Sequence, residues 1–312
     1  MLNMIKMKYL NLFRYKNLAL IACMQALFHF VFLKNQTSYI ALSNWQFILL
    51  ILATLCVAAG GYVINDIEDQ YADSINKPHK KYVGVSISEN VAFYLYIGLS
   101  IVGIGIGYYL ANLVGKNSFV GCFIITSMLL YMYATSLKKI AFLGNIVIAL
   151  LTAFSVLIVG FFDILPATYA GNYTEQMYLF SVLIDFAIFA FIINLIREIV
   201  KDIEDINGDY NAEINSLPVI LGITRTVKIV QVITGIAILL LLYYMAINFI
   251  HAPLVLAYTL LFVLGPLIFF FIKLFGAKQK SNFIFLSNLL KIIMLFGILS
   301  IAIIQLNIYI NA

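Results

Sequence analysis

Nine long apolar stretches, separated by short polar segments, account for most of this chain. They cover about residues 17–34, 45–64, 91–111, 118–136, 143–163, 178–200, 225–248, 252–273 and 284–309. A helix rises about 1.5 Å per residue, so each stretch is long enough to cross the hydrocarbon core of a bilayer. The pattern predicts an all-α, polytopic membrane protein with nine transmembrane helices, forming one domain over residues 1–312.

The composition and the charge pattern support this prediction and add a topology. The mean hydropathy is +1.02, and only 11% of the residues are charged. With nine spans, all but two of the 19 lysines and arginines, Lys34 and Lys116, fall on the side of the amino terminus. This asymmetry predicts a cytoplasmic amino terminus, with a basic interfacial segment over residues 1–16 before the first span. We expect the protein in a bacterial or archaeal cell membrane. The dispersed cations indicate topology, and we expect no nucleic-acid partner.

Two acidic segments of closely similar sequence interrupt the apolar pattern. Residues 65–69 are NDIED, with Asp73 following, and residues 201–205 are KDIED, with Asp209 following. In each segment three aspartates fall at i, i+3 and i+7, which on one helix places them within about 60° of one another. The two segments hold or adjoin most of the 14 acidic residues: Asp66, Glu68, Asp69, Asp73, Glu198, Asp202, Glu204, Asp205, Asp209 and Glu213.

Both segments fall on the predicted cytoplasmic side, each at the end of an even-numbered span, so we expect them to face each other. Six carboxylates around one cavity repel strongly unless cations neutralise them. Mg²⁺ prefers oxygen ligands and is typically completed by substrate phosphates, so a Mg²⁺-bound diphosphate is the expected ligand. Aromatic side chains, of which the chain has 20 tyrosines and 25 phenylalanines, can line a hydrocarbon tunnel and shield a carbocation. A prenyl diphosphate fits both requirements.

The two segments resemble the paired aspartate motifs of the UbiA superfamily of intramembrane prenyltransferases, and residues 216–219 (SLPV) resemble the segment after the second motif. The resemblance implies nine helices around a central cavity, capped on the cytoplasmic side by the loops that carry the motifs. It implies Mg²⁺-dependent transfer of a prenyl group from a prenyl diphosphate to a lipophilic acceptor. It also implies Mg²⁺–diphosphate binding by the catalytic residues Asp66, Asp69, Asp202 and Asp205, with support from Asn65, Asp73 and Asp209.

Residues 73–78 (DSINKP) and 197–205 (REIVKDIED) are similar to the branch that contains the digeranylgeranylglyceryl phosphate synthases. That branch attaches a geranylgeranyl chain to a prenylated glycerol phosphate. Where it usually has Arg-Pro after the Asn-x-Pro element, this chain has Lys80 and Lys81, which keep the charge but cannot bind phosphate in a bidentate manner. The acceptor therefore stays open between a prenylated glycerol phosphate and an aromatic quinone precursor.

Basic and polar residues near the two motifs are further candidates for substrate binding, because they can hold phosphate oxygens beside the metal. The alternative for the cations is that they only fix the orientation in the membrane, and for the tyrosine that it belongs to the interfacial aromatic belt. The candidates are Arg14, Asn17, Lys77, Lys80, Lys81, Tyr131, Lys138, Asn145, Arg197 and Lys201.

Two other classes of membrane protein are alternatives to a prenyltransferase. A cation-coupled transporter places its ionisable residues near the bilayer midplane in interrupted helices, whereas these aspartates lie at span ends. A phosphotransferase that uses a CDP-alcohol donor also has spaced aspartates, but its Asp-Gly, Ala-Arg and downstream glycine elements are missing here. The twin aspartate triplets thus favour the prenyltransferase.

Overall fold

The computed structural model describes residues 2–37, 39–78 and 81–311, with side chains from Met7 onward. Helices form nearly all of this part of the chain, and its β structure is limited to one isolated bridge between Val83 and Ile87. The helices are α1 Leu2–Leu12, α2 Tyr15–Gln36, α3 Asn44–Glu68, α4 Gln70–Asn76, α5 Glu89–Leu113, α6 Asn117–Thr135, α7 Leu143–Ala167, α8 Tyr173–Asn211, α9 Leu217–Leu221, α10 Ile223–Asn248, α11 Pro253–Leu274 and α12 Lys280–Asn311.

Nine of these helices are long and apolar enough to cross a membrane, counted over the described residues. They are α2, α3, α5, α6, α7, α8, α10, α11 and α12, which confirms the nine predicted spans. The largest difference is in α8, which continues to Asn211 where hydropathy predicted an end near residue 200. Its 39 residues exceed the roughly 20 that a bilayer core requires, so the helix carries the polar residues after 200 beyond the core.

The spanning helices pack as neighbours around α2, α3, α7 and α8. Helix α3 contacts α5 and α6, α7 contacts α8, and α8 also contacts α10 and α12, while α2 contacts α3, α7 and α12. Small residues allow the closest approaches. At Gly103 of α5, an added Cβ would lie 2.7 Å from Val57 and 3.0 Å from the backbone oxygen of Ala53, both in α3. The helices that carry the acidic segments, α3 and α8, are brought together by the short helix α4, which follows α3 and contacts α8.

A buried polar pair fixes the opposite end of the bundle. His29 Nδ1 lies 2.7 Å from Asp163 Oδ2, and both side chains are fully buried. Asp163 also accepts a hydrogen bond from the backbone of Leu42, and the His29 ring stacks on Phe47. Asp163 and His29 thus join α2, α7 and the start of α3.

Candidate active site

The first aspartate motif, residues 65–73, does not lie on one helix. Helix α3 ends at Glu68, and α4 starts at Gln70, with Asp69 between them at φ −87° and ψ 5°. The prediction that all three aspartates share one helical face is therefore wrong for this motif. Asn65 Nδ2 donates to Asp69 Oδ2 at 2.5 Å, so the two side chains contact each other across the last turn of α3.

The second aspartate motif, residues 202–209, lies on the continuous helix α8, and α4 packs directly against it. Lys77 Nζ lies 2.5 Å from Asp205 Oδ2. Asn76 donates to the backbone oxygen of Asp205 at 2.7 Å and accepts from the backbone nitrogen of Gly208 at 2.9 Å. A Cβ on Gly208 would lie 2.2 Å from Asn76 Nδ2, so the absence of a side chain there permits the contact. The two motifs thus meet at one end of the bundle.

Each of the four central aspartates has a polar partner from another part of the chain. Two of these partners are cations in the connections between helices. Arg14, between α1 and α2, has its Nη2 2.8 Å from Asp66, and Lys138, between α6 and α7, has its Nζ 2.6 Å from Asp69. Asn145, near the start of α7, donates to Asp202 at 2.8 Å, and Lys77 pairs with Asp205. The site therefore joins the connection between α1 and α2, the end of α3, the start of α7 and the end of α8.

Electrostatics at the site reflect the crowding of carboxylates. Burial, together with the neighbouring Asp69 carboxylate, raises the pKa of Asp73 to about 6. For Lys77, burial lowers the pKa, but Asp205 outweighs it and the net pKa is raised. Likewise burial opposes the charge of Arg14, and Asp66 raises its pKa overall. The aspartates stabilise positive charge around them, as a cation-binding site requires.

The residues present fit a metal that is held jointly with its ligand. Within the described ranges, no three histidine, cysteine or acidic side chains are grouped as a ready-made metal site. Two oxygens at the site, Asp205 Oδ1 and Asn65 Oδ1, are buried and lack a hydrogen-bond partner in the described part of the chain. Mg²⁺ is usually held by one or two carboxylates plus substrate phosphates, which agrees with free carboxylate oxygens and an incomplete protein cage.

The remaining candidates from the sequence occupy different positions. Asn17 donates to the hydroxyl of Tyr62 at 3.2 Å, one helical turn from the Arg14–Asp66 pair. Lys81 lies near Gly84 and forms no ion pair with a described residue, and Lys80 lies outside the described residues. Tyr131 points away from the site.

The side chain of Tyr131 is 44% exposed and stacks on Tyr96, with ring centroids 6.2 Å apart. The prediction of a site position for Tyr131 therefore does not agree with the structure. Tyr133 lies towards the site instead, since a Cβ on Gly144, the neighbour of Asn145, would lie 3.3 Å from its ring. Residues two apart on a helix point about 200° from each other, so only one of Tyr131 and Tyr133 can face the site.

Arg197 and Lys201 contact Glu198 and not the aspartates. Arg197 Nη1 lies 2.9 Å and Lys201 Nζ 3.2 Å from the Glu198 carboxylate, which is buried. Glu198 was not among the predicted site residues. A useful signal was available, because Glu198 precedes Asp202 by four residues and so shares its helical face.

Together, the nine membrane-crossing helices found among the described residues and the two aspartate motifs that meet at one bundle end define an integral multi-pass membrane protein with a polar site at the helix ends. A model of the UbiA prenyltransferase family matches residues 24–292. The chain therefore belongs to the UbiA prenyltransferase family, and it is a prenyltransferase. This agrees with the resemblance of the motifs and sets aside the transporter and the phosphotransferase.

Individual relatives show the same similarity. The digeranylgeranylglyceryl phosphate synthase of Sulfolobus acidocaldarius is 36% identical over 231 residues, 72% of this chain and 78% of the relative. A solved structure, described as giving structural and mechanistic insights into digeranylgeranylglyceryl phosphate synthase in membranes, is 25% identical with a TM-score of 0.59, covering 95% of this chain and 98% of that one. A UbiA homolog from Archaeoglobus fulgidus, solved with GPP and Mg²⁺, is 17% identical with a TM-score of 0.55, covers 95% and 99% of the two chains, and shows the shared fold.

Proposed function

We propose that this protein transfers a prenyl group from a prenyl diphosphate to a hydroxyl of a prenylated glycerol phosphate, with Mg²⁺ as cofactor. The observation that carries the proposal is the meeting of the two aspartate motifs through Lys77–Asp205 and Asn76–Gly208. The similarity to digeranylgeranylglyceryl phosphate synthases supports the choice of acceptor. We place the site on the cytoplasmic side, because Lys34 and Lys116 are the lone cations near the opposite helix ends.

The aspartates are the proposed holders of the metal and, through it, of the diphosphate. Asp66 and Asp69 from the first motif and Asp202 and Asp205 from the second would hold Mg²⁺, and Asn65, Asp73 and Asp209 would support them. When bound, Mg²⁺ supplies positive charge that stabilises the diphosphate as a leaving group. The unpartnered oxygens of Asp205 and Asn65 support this assignment, since a buried oxygen without a partner is unfavourable.

The cations that pair with the aspartates have a second role in the proposal. Arg14, Lys77 and Lys138 each hold an aspartate in the structure described here. Each also has donors left for an anion, because guanidinium has five N–H groups and ammonium has three. Charge-assisted hydrogen bonds from these donors to phosphate oxygens would orient the diphosphate and strengthen as negative charge develops on it.

The reaction forms one bond and breaks one. The acceptor hydroxyl oxygen attacks the allylic carbon of the prenyl chain, the bond from that carbon to the diphosphate oxygen breaks, and the electron pair leaves with the diphosphate. The hydroxyl proton passes to the released diphosphate. Aromatic faces near the site, among them Tyr62, whose ring centre lies 4.9 Å from the Arg14 guanidinium, stabilise positive charge and exclude water.

The proposal is tested with purified protein in lipid nanodiscs, radiolabelled geranylgeranyl diphosphate, Mg²⁺ and separate acceptors. The acceptors are a prenylated glycerol phosphate and an aromatic quinone precursor, with products identified by mass spectrometry. We expect an ether product with the glycerol phosphate, lost in Asp66→Ala and in Asp202→Ala. The control is Asp185→Asn in α8, whose carboxylate accepts from Tyr244 away from the motifs and whose loss should leave turnover in place.

An aromatic product without an ether product would replace the proposed acceptor. Unchanged turnover in Asp66→Ala or Asp202→Ala would overturn the roles given to the aspartates.

A further inference from the structure

A second group of cations lies just before the second aspartate motif, at Arg197 and Lys201. Arg197 and Lys201 of α8 share the carboxylate of Glu198. The side chain of Arg197 is only 14% exposed, and its Nε is buried without a hydrogen-bond partner among the described residues. One carboxylate thus holds two cations, and a buried guanidinium donor remains free.

Lys291 adds a third cation to this group from a different helix. It lies within the apolar span Lys280–Asn311 of α12, which packs against α8. Its charge interacts with those of Arg197 and Lys201 and with Lys16 and Arg14, all of them positive. Within the described part of the chain, Lys291 has no acidic partner closer than 4.0 Å.

A lysine in a membrane span that faces other cations is unfavourable unless an anion joins them. Arg14 is already paired with Asp66, and Glu198 balances one charge of the remaining set. We define the basic cluster as Arg197, Lys201 and Lys291. It therefore has an excess of positive charge, and it lies nearer the middle of α8 than the second aspartate motif does. Glu198 orients two of its members, so the donors are held before a ligand arrives.

We propose that the basic cluster binds the phosphate monoester of the acceptor, at a site separate from that of the diphosphate. This proposal rests on the proposed function, which supplies an acceptor with such a phosphate. Phosphate oxygens match the donors present, namely a guanidinium and two ammonium groups. The same chemistry occurs in the headgroups of anionic phospholipids, so the test distinguishes the two sources.

The placement suits the reaction. Glu198 and Asp202 are four residues apart on α8, which corresponds to about 6 Å along the helix on one face. In a glycerol phosphate that carries one ether, the free hydroxyl lies within two carbons of the phosphate ester. A phosphate held by the basic cluster would therefore leave the hydroxyl beside the aspartate motifs, where the allylic carbon separates from its diphosphate. The cluster would select phosphorylated acceptors over the corresponding alcohols.

The experiment compares two probes in phosphatidylcholine nanodiscs, without prenyl diphosphate or Mg²⁺. One probe is a single-chain alkyl glycerol phosphate, and the other is the same alkyl glycerol without phosphate. Wild-type protein, Lys291→Gln and the control Lys278→Gln, an exposed lysine just before α12, are compared by direct binding and by thermal melting. Arg197→Gln and Lys201→Gln test the other two members of the cluster.

We expect Lys291→Gln to weaken binding of the phosphorylated probe by about tenfold or more and to leave the alcohol unaffected, because a charge-assisted hydrogen bond is lost. The KM for prenyl diphosphate should stay at the wild-type value. Without ligand, the melting temperature should rise, because an unpaired charge is removed from a span. Lys278→Gln should behave as wild type in all of these measurements.

Equal binding of the phosphorylated probe by the wild type and Lys291→Gln would overturn the proposal. If phosphatidylglycerol displaces that probe from the wild type but not from Lys291→Gln, the cluster binds a lipid headgroup. That result would overturn the acceptor assignment. Tight, phosphate-dependent binding without turnover would refute the proposed function and leave the anion site standing. If Lys291→Gln forms product and prefers phosphorylated acceptors as the wild type does, the proposed function would stand and the anion site would be refuted.

Discussion

Replacing Gly208 by alanine separates the two aspartate motifs without changing any charge. An added Cβ would lie 2.2 Å from Asn76 Nδ2, 2.5 Å from Asn76 Cγ and 2.7 Å from the backbone oxygen of Ala72. The asparagine side chain can rotate away, but the Ala72 oxygen belongs to the backbone of α4. Helix α4 must therefore move away from α8, and Asp73 on α4 and Lys77 at its end move with it.

The magnitude follows from what the shift removes. Two hydrogen bonds of Asn76, to the Asp205 oxygen and from the Gly208 nitrogen, contribute about 0.5–1.5 kcal/mol each. Overpacking adds about 1–3 kcal/mol, and the better helix propensity of alanine returns about 0.5–1 kcal/mol. The docking of α4 is thus weakened by about 1–5.5 kcal/mol. A displacement near 1 Å at a catalytic group lowers turnover by about 100-fold, so we expect kcat/KM to fall by about 10- to 100-fold.

The assay measures ether product at saturating acceptor over a range of prenyl diphosphate concentrations. We expect Gly208→Ala to raise the KM for prenyl diphosphate and to lower kcat, since both motifs are proposed to hold that substrate. Gly98→Ala in α5 is the matched control, because a Cβ there meets no atom within 4 Å. Melting curves of both variants in detergent establish that the bundle remains folded.

A double-mutant cycle with Asn76→Ala sharpens the test. Asn76→Ala already loses both hydrogen bonds and removes the two closest contacts of the new Cβ. Gly208→Ala should therefore have a smaller effect in the Asn76→Ala background than alone. A folded Gly208→Ala protein with wild-type kcat/KM, or fully additive effects in the cycle, would refute the claim that the α4–α8 contact sets the site geometry.

Three further predictions concern other parts of the structure. Tyr133→Leu should lower kcat about fivefold through loss of an aromatic face, whereas Tyr131→Leu should leave kcat unchanged. Equal kcat values for the two variants would contradict the orientation of the two tyrosines described above. Lys138→Gln should raise the KM for prenyl diphosphate at least severalfold, because Asp69 loses its cation. Lys139→Gln, which changes the exposed neighbour, should leave this KM unchanged. Initial rates over a range of prenyl diphosphate concentrations give both KM values. His29→Ala should destabilise the protein by about 3–5 kcal/mol, since it leaves the Asp163 carboxylate buried without its partner, yet the folded fraction should retain the wild-type KM. A wild-type melting temperature for His29→Ala would disprove this last expectation.

The nine spans could be predicted from the sequence, because an apolar run of about 20 residues has few alternatives to a membrane helix. The meeting of the motifs was also predictable, since both fall at the ends of even-numbered spans on the same side. Direct contacts to aspartates from Arg14, Lys77, Lys138 and Asn145 follow from that meeting.

What the sequence did not reveal depends on helix phase and on local breaks. The break at Asp69 is a single residue, with ψ of 5°, between two helices, and the pattern of apolar and polar residues does not mark it. The choice between Tyr131 and Tyr133 is set by a rotation of about 200°, which hydropathy does not resolve in an apolar helix. Lys291 is distant in sequence from both motifs, and only the packing of α12 on α8 brings it to the other cations.

The central claim, that both aspartate motifs hold one Mg²⁺-bound diphosphate, is tested most directly by binding of an unreactive prenyl thiodiphosphate. Calorimetry with and without Mg²⁺ should be carried out on the wild type, Asp66→Asn and Asp202→Asn. We predict that binding requires Mg²⁺ and that either substitution weakens it by at least about tenfold. Equal binding in the presence of a chelator, or dependence on one motif alone, would contradict the claim.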